Sequence, residues 1–383
     1  MKSIFTKKLL MAVLLSTVAL ATVSVSTVMA FSKTDFDSAD GLRLDGSTTV
    51  FPIVKAALGV TSDGGLSTSG PFQNAGHPLQ AQVRQGGSGV GKADAQGQIV
   101  DIGDASSIAD ITSYPNLVAS KIARDGICII VNNNVNVTDI TAAQVKAIYE
   151  GTTTSWSAIN LSASGTIVPL ARLVGSGTRD AIADFTGMDK TKEATFLGSA
   201  TRYDANADEA NQVVATPNSI GYVGIGYAAA LQSAGTAKIL TVNGRKATAQ
   251  NVTTTDSNKL YPFSRYLYLL QNNNPTDSTV VANRSNANAF IQWMSDPVGP
   301  AQAIVAQQDF LKLVPDADIN TDGTINGLDL SKLGIYWNKS VSNNRADING
   351  DGVVNGLDLS KLGLWWNTTF GTAGNLTPDY PVQ

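Results

Sequence analysis

The sequence predicts an α/β fold followed by a small α-helical module built on two oxygen-rich loops. Three observations carry that reading. From about Leu42 to Pro315, short apolar runs alternate with amphipathic stretches, the pattern of strands joined by crossover helices. Three Ser/Thr/Gly elbows fall where a strand gives way to a helix. After Pro315 the composition changes abruptly and one motif occurs twice in tandem.

The elements can be justified in chain order. Lys2, Lys7 and Lys8 precede an apolar stretch from Leu9 to about Val23, and Val28-Met29-Ala30 supplies small residues for cleavage. Residues 1–30 therefore read as a secretory signal peptide cut after Ala30. An uncleaved anchor is the alternative, opposed by the shortness of the apolar stretch and its Ser and Thr content. No cysteine follows to carry a lipid. The expected location is secreted, extracellular or cell-surface, and periplasmic where an outer membrane exists.

Strands are expected at Leu42–Leu44, Ile99–Gly103, Ile127–Val131, Ile167–Leu170 and Ile220–Val223. Helices are expected at Ile53–Leu58, Ala142–Tyr149, Arg179–Phe185, Asp208–Ala215 and Ala287–Met294. Residues 59–80, rich in Gly, Ser and Pro, read as a loop. The single cysteine, Cys128, lies in an apolar run and reads as a buried strand thiol. A net charge of −4 argues against a nucleic-acid partner. The sole histidine, His77, lies in a Gly/Pro/Asn-rich loop, which speaks against a histidine triad or a multi-histidine metal site. No paired-carboxylate set stands out either, so the chain is not expected to be an enzyme.

The elbows read Gly46-Ser47-Thr48-Thr49-Val50-Phe51-Pro52, Gly86-Gly87-Ser88-Gly89-Val90-Gly91 and Gly175-Ser176-Gly177-Thr178-Arg179-Asp180. A helix start leaves backbone N–H groups unpartnered and carries partial positive charge, which suits an anion. Glycine admits close approach, and Ser or Thr adds a hydroxyl donor. A single elbow of this kind is an ordinary turn or cap. Three together, with Arg172 just before the third, point to a tetrahedral oxyanion held by neutral donors and one guanidinium.

These segments resemble the PstS-like phosphate-binding proteins of ABC uptake systems. The resemblance runs in family order over roughly residues 40–314 through the first two elbows, Val100-Asp101-Ile102-Gly103-Asp104-Ala105-Ser106 and Arg172-Leu173-Val174-Gly175-Ser176-Gly177-Thr178-Arg179-Asp180. It continues through Ile220-Gly221-Tyr222-Val223-Gly224, Tyr261-Pro262-Phe263-Ser264-Arg265 and the helix around Trp293. It implies a two-lobed type II periplasmic-binding-protein fold over residues 34–315. Its lobes would be about 34–120 plus 236–315, and 121–235, closing on inorganic phosphate. Carried over, Thr48 or Thr49 and the backbones of Val50 and Phe51 donate from the first loop, and Ser88 from the second. Arg172 makes a charge-assisted contact, and Ser176, Gly177 and Thr178 add hydroxyl and N–H donors. Ser106 stands where some members have an aspartate, so sulfate or another oxyanion stays open as a ligand. Val174 stands where an acidic residue often supports the arginine.

The C-terminal repeat begins at Asp318 and again at Asp347. The first copy offers Asp318, Asn320, Asp322, the carbonyl of Thr324, Asn326 and Asp329, and the second Asp347, Asn349, Asp351, the carbonyl of Val353, Asn355 and Asp358. With Gly323 and Gly352 at the turn, this is the oxygen-ligand spacing of an EF-hand calcium loop, and it predicts two Ca²⁺ ions. A helix pattern follows each loop but precedes neither. Such loop–helix pairs resemble the type I dockerin module, here residues 316–367, which implies a cohesin-like scaffold as partner. Gly327-Leu328 and Gly356-Leu357 replace the polar pairs common there, which leaves open a calcium-stapled spacer with no partner. Leu330, Leu333 and Ile335, with Leu359, Leu362 and Leu364, are expected to pack the copies together. Residues 368–383 are expected to be a disordered tail. The function expected is phosphate capture for an ABC permease with a calcium-dependent tether; the alternative is a surface-assembly component that docks through the module.

Overall fold

The computed structural model describes residues 31–36, 41–189, 200–342 and 344–370. The expected signal peptide and residues 371–383 of the expected tail lie outside the described residues. In chain order the elements begin with β1 (Leu42–Gly46), α1 (Phe51–Ala57), β2 (Leu66–Ser67), α2 (Pro71–Asn74), β3 (Ala81–Gln85), α3 (Ser88–Gln96) and β4 (Ile102–Ala105). A long strand, β5 (Leu117–Asn132), leads to β6 (Asp139–Ile140), α4 (Ala142–Tyr149), β7 (Val168–Arg172), α5 (Gly177–Thr186), β8 (Thr201–Tyr203) and α6 (Asn206–Ala215). Then come β9 (Ser219–Gly224), α7 (Ile225–Ser233), β10 (Ala237–Ile239), β11 (Thr241–Val242) and α8 (Ala249–Thr253). The chain returns along β12 (Ser264–Asn272) into α9 (Ser278–Ser295) and α10 (Ala301–Gln307), and ends in α11 (Gly327–Ile335) and α12 (Gly356–Leu364).

The strands run in the order β2-β3-β1-β4-β12-β5-β9-β7-β8, with β10 also on β5. β1 pairs parallel with β3 and β4, and β7 parallel with β9 and β8, whereas β12 lies antiparallel between β4 and β5. Two parallel α/β units thus share the antiparallel pair β5–β12. Each unit has its own core. One gathers Leu44, Ile53, Val83, Ile122, Leu267 and Phe290. The other gathers Ile129, Ile148, Trp156, Ile182, Ile220 and Phe263.

The lobe limits differ from expectation at both crossings. β5 enters the first core at Ile122 and Ala123 and the second only from Ile127. Leu240, Val242, Val252 and Phe263 also belong to the second core, so the return crossing is at β12 rather than near residue 236. Local signals explain the element ends. Thr141 and Gln144 form a reciprocal capping box on α4. Asp277 caps α9 by accepting from Thr279 N and Val280 N at 3.1 and 3.2 Å. Cys128 is buried in β5 as a free thiol, and burial pushes its pKa up.

The C-terminal module has its own small core of Val314, Ala317, Ile325, Leu333, Ala346, Val354, Leu362 and Phe370. Of the six leucines and isoleucines expected between the copies, only Leu333 and Leu362 are buried. Ile335 and Leu364 remain 58% and 70% exposed. Helices of nine residues turn only one such position each toward the partner. Nor are residues 368–370 a loose tail. Ile325 N donates to Thr368 O, Phe370 N to Gly323 O, and Phe370 is fully buried. The sequence pattern ended at Asn367, while the core needed one more aromatic ring.

Candidate oxyanion cleft and calcium loops

The three elbows, far apart in sequence, converge at the interface of the two lobes. β1 delivers Ser47–Thr49 to the start of α1, β3 delivers Ser88 to α3, and β7 delivers Ser176–Thr178 to α5. Across the cleft, Thr49 Oγ1 lies 3.1 Å from Thr178 Oγ1, and Gly89 N donates to Gly175 O at 3.2 Å. Ser47 Oγ donates to Ser106 Oγ at 3.0 Å, and Ser88 Oγ is 3.3 Å from the same atom. Gly177 is packed onto this hydroxyl cluster. A Cβ there would fall 2.3 Å from Ser88 Oγ and 2.4 Å from Ser106 Oγ, so glycine is required by close approach.

Arg172 crosses the cleft to donate from Nη2 to Thr48 Oγ1 at 2.8 Å and is 1% exposed. Its orientation comes from Asn206 Oδ1 on Nη1 at 2.6 Å, Tyr203 O on Nε at 3.1 Å and Asp204 O on Nη2. Asn206 Nδ2 also donates to Thr49 Oγ1 at 3.0 Å. Val174, where a supporting acid is absent from the sequence, is 39% exposed, and Asn206 with two carbonyls supplies the support. Glu209 is fully buried nearby, with Oε1 accepting from Tyr222 N at 2.8 Å. Burial pushes its carboxyl up to about 8, against the opposing pull of Arg172. Burial thus favours the neutral form of Glu209, and the hydrogen-bond partners of Arg172 are neutral groups. The cleft presents hydroxyls, amide groups and one buried guanidinium whose hydrogen-bond partners are neutral, which is the chemistry of an anion receptor.

Of the sequence-selected residues, the structure brings Thr48, Thr49, Ser88, Ser106, Arg172, Gly177 and Thr178 together. Val50 and Phe51 do not offer their N–H groups, because both donate to Ser47 O, at 3.0 and 2.9 Å. The tight first turn of α1 requires those bonds. Ser176 is buried, and its hydroxyl caps α5 by accepting from Arg179 N at 3.4 Å. Three residues of the cleft escaped assignment: Ser47, Asn206 and Arg265. Ser47 lies inside the first elbow, and Arg265 ends the segment Tyr261-Pro262-Phe263-Ser264-Arg265, whose residues carry no evident role in the sequence. Nothing local marks Asn206, which begins an ordinary amphipathic helix.

In the module, each loop folds around its first carboxylate. Asp318 accepts from Asp322 N and Gly323 N, both at 3.2 Å, and Asp347 accepts from Asp351 N and Gly352 N at 3.1 and 2.8 Å. Asp329 and Asp358 reach back to Asn320 N and Asn349 N at 3.2 and 3.0 Å, which closes each loop onto the helix that follows. Gly323 and Gly352 have φ of +88° and +87°, as the turn demands. Among the described residues no three carboxylate, imidazole or thiolate groups converge as a metal cluster by themselves. Each loop interleaves three carboxylates with two asparagine amides and a carbonyl, a hard, all-oxygen set that fits Ca²⁺ in type and order.

Residues 32–297 match the model of the PBP superfamily domain, and residues 316–363 that of the dockerin type I domain, a calcium-binding family. The phosphate-binding protein PstS of Borreliella burgdorferi is 28% identical over 281 residues, 72% of this chain and 91% of that protein. PstS of Bacillus subtilis is 26% identical over 61% of this chain and 73% of that protein. Among solved structures, a putative phosphate ABC transporter substrate-binding protein with bound phosphate from Clostridium perfringens superposes with TM-score 0.57 and 25% identity. The match covers 72% of this chain and all of that one. An ABC-type phosphate transport receptor from Vibrio cholerae, at TM-score 0.55 and 20% identity over 70% of this chain and 99% of that one, shares the fold. No described helix is long and apolar enough to cross a membrane. With its superfamily model matched over most of its length, this chain belongs to the PBP superfamily.

Proposed function

We propose that this protein captures one inorganic phosphate between its lobes and passes it to an ABC-type importer, with a calcium-dependent module as its tether. The observation that carries the ligand assignment is Arg172, a buried guanidinium whose hydrogen-bond partners are all neutral, ringed by Thr48, Thr49, Ser88, Ser106 and Thr178. Arg172 grips the anion with charge, the hydroxyls and the Gly177 N–H complete its oxygen shell, and lobe closure removes water. The names of the relatives support the same ligand. The match with the dockerin type I domain favours two Ca²⁺ ions and a cohesin-like partner on an extracellular or cell-surface scaffold. That reading is compatible with phosphate capture for import or for retention at the surface.

Thermal unfolding of the phosphate-stripped protein tests this directly. A ligand that binds only the folded state raises the midpoint as its concentration rises. Phosphate should raise the midpoint of the parent, while the Arg172→Ala variant should show little response. A parent indifferent to phosphate yet stabilised by a different solute would refute the assignment.

A further inference from the structure

Arg265 lies on β12 directly opposite Asp125 on β5, in the strand pair that joins the lobes. Its Nε and Nη2 donate to Asp125 Oδ2 at 2.9 and 2.7 Å. Its Nη1 then splits between two walls of the cleft, Ser106 O at 3.1 Å in one lobe and Gly177 O at 3.2 Å in the other. Nη2 also reaches Thr178 Oγ1 at 3.1 Å. The side chain is 5% exposed, and Asp125 is fully buried. Asp125 accepts in turn from Ile225 N at 3.1 Å, at the head of α7.

We propose that Arg265 is an interlobe latch, a positioning residue that holds Ser106 against Gly177 and Thr178 and so keeps the cleft shut on its anion. The proposal rests on the reading of this cleft as the phosphate site. Its charge is matched by Asp125, so Arg265 adds little net attraction for an anion; Arg172 supplies that. What Arg265 contributes is geometry. A planar guanidinium can serve acceptors on three bodies at once, which a single ammonium cannot reproduce. Its bonds to Ser106 and to Gly177 coexist only while the lobes touch, so hinge opening must break one set. Interactions made only in the closed state shift the population toward it. Phosphate leaves through the open state, so the latch acts mainly on the dissociation rate.

The test uses the full chain, stripped of phosphate, as parent, Arg265→Met and Arg265→Lys. Phosphate affinity is read by calorimetry and lobe closure by small-angle X-ray scattering, without phosphate and at saturation. The parent should contract on saturation. Arg265→Met should bind roughly tenfold or more weakly, as for other truncated buried charge pairs, and stay more open at saturation. Arg265→Lys should fall between them. Should Arg265→Met fail to fold, Asp125→Asn with Arg265→Met leaves no buried carboxylate unmatched and gives the same reading. A variant that melts earlier but binds and contracts like the parent would overturn the latch and leave Arg265 a strand-pairing residue. If the parent itself ignores phosphate, the functional reading fails, and the latch is judged on the ligand-free shapes: equal compactness of parent and Arg265→Met overturns it.

Discussion

Arg172 is buried with only neutral groups as hydrogen-bond partners, which is unfavourable in the absence of a ligand and favourable with an anion present. Replacing it by alanine removes the cation and leaves Asn206 and the Tyr203 carbonyl without their donor. Arg172→Ala should weaken phosphate binding by about 2–5 kcal/mol, checked by equilibrium dialysis. Glu209 permits a separate prediction about pH. Its carboxyl is raised to about 8 in the fold, from an ordinary value near 4.5, so the folded state binds the proton more tightly. That contribution is fully present below the ordinary value and is lost as pH rises through about 8. Glu209→Gln should flatten the fall in stability between about pH 5 and about pH 9, measured by denaturant unfolding. A parent and variant with the same slope would show that Glu209 ionises freely in the fold. The sequence made the elbows and Arg172 legible because their donors are consecutive. Asn206, by contrast, acts from a helix start more than thirty residues downstream, where only the fold brings it to the guanidinium.

At the scale of elements, the strands at Ile127–Val131 and Ile220–Val223 were legible as uninterrupted apolar runs, since both faces of that sheet are covered. The first half of β5 and all of β12 were not. Lys121, Arg124, Asp125 and Arg265 break their apolar pattern, and these charges are buried because the strand pair is where the lobes meet. α3 was legible only as a start at the second elbow and not in its extent, because Gly89 and Gly91 lower helix propensity; a Cβ on Gly91 would fall 2.5 Å from Asp104 O, so close packing on β4 requires it. The two oxygen-rich loops were legible as turns, since the residues that build them are local. Their helices expose more apolar surface than the repeat suggested, and the small core they leave is of the size that a bound metal would have to support. Chelation should therefore unfold residues 316–370 and leave the two-lobed domain folded. Trp365, partly buried against the module core, is the reporter. Asp318→Ala with Asp347→Ala should abolish the calcium response of its fluorescence. Identical emission and circular dichroism with calcium and with chelator would contradict a metal-dependent fold.

At the scale of the molecule, selectivity follows from what closes around the anion. Ser106 sits in the hydroxyl cluster with Ser47 and Ser88, at the position for which the resemblance to PstS-like proteins implies an aspartate in some members. A carboxylate there accepts the proton of monohydrogen phosphate and repels sulfate, which has no proton to give; a hydroxyl does not repel it. Sulfate should therefore compete measurably with phosphate, and Ser106→Asp should widen the preference for phosphate at neutral pH. Undetectable sulfate binding by the parent would assign rejection to a different group. Asp104 is one such group, wholly buried at the end of β4, though burial raises its pKa and favours its neutral form.

Titration calorimetry with inorganic phosphate on the stripped full chain tests the central claim most directly. The cleft geometry predicts saturable binding of one phosphate per chain, unaffected by calcium chelation at the level of stoichiometry and severely weakened by Arg172→Ala. Absence of heat with phosphate across temperatures, or binding that survives Arg172→Ala unchanged, would contradict the account.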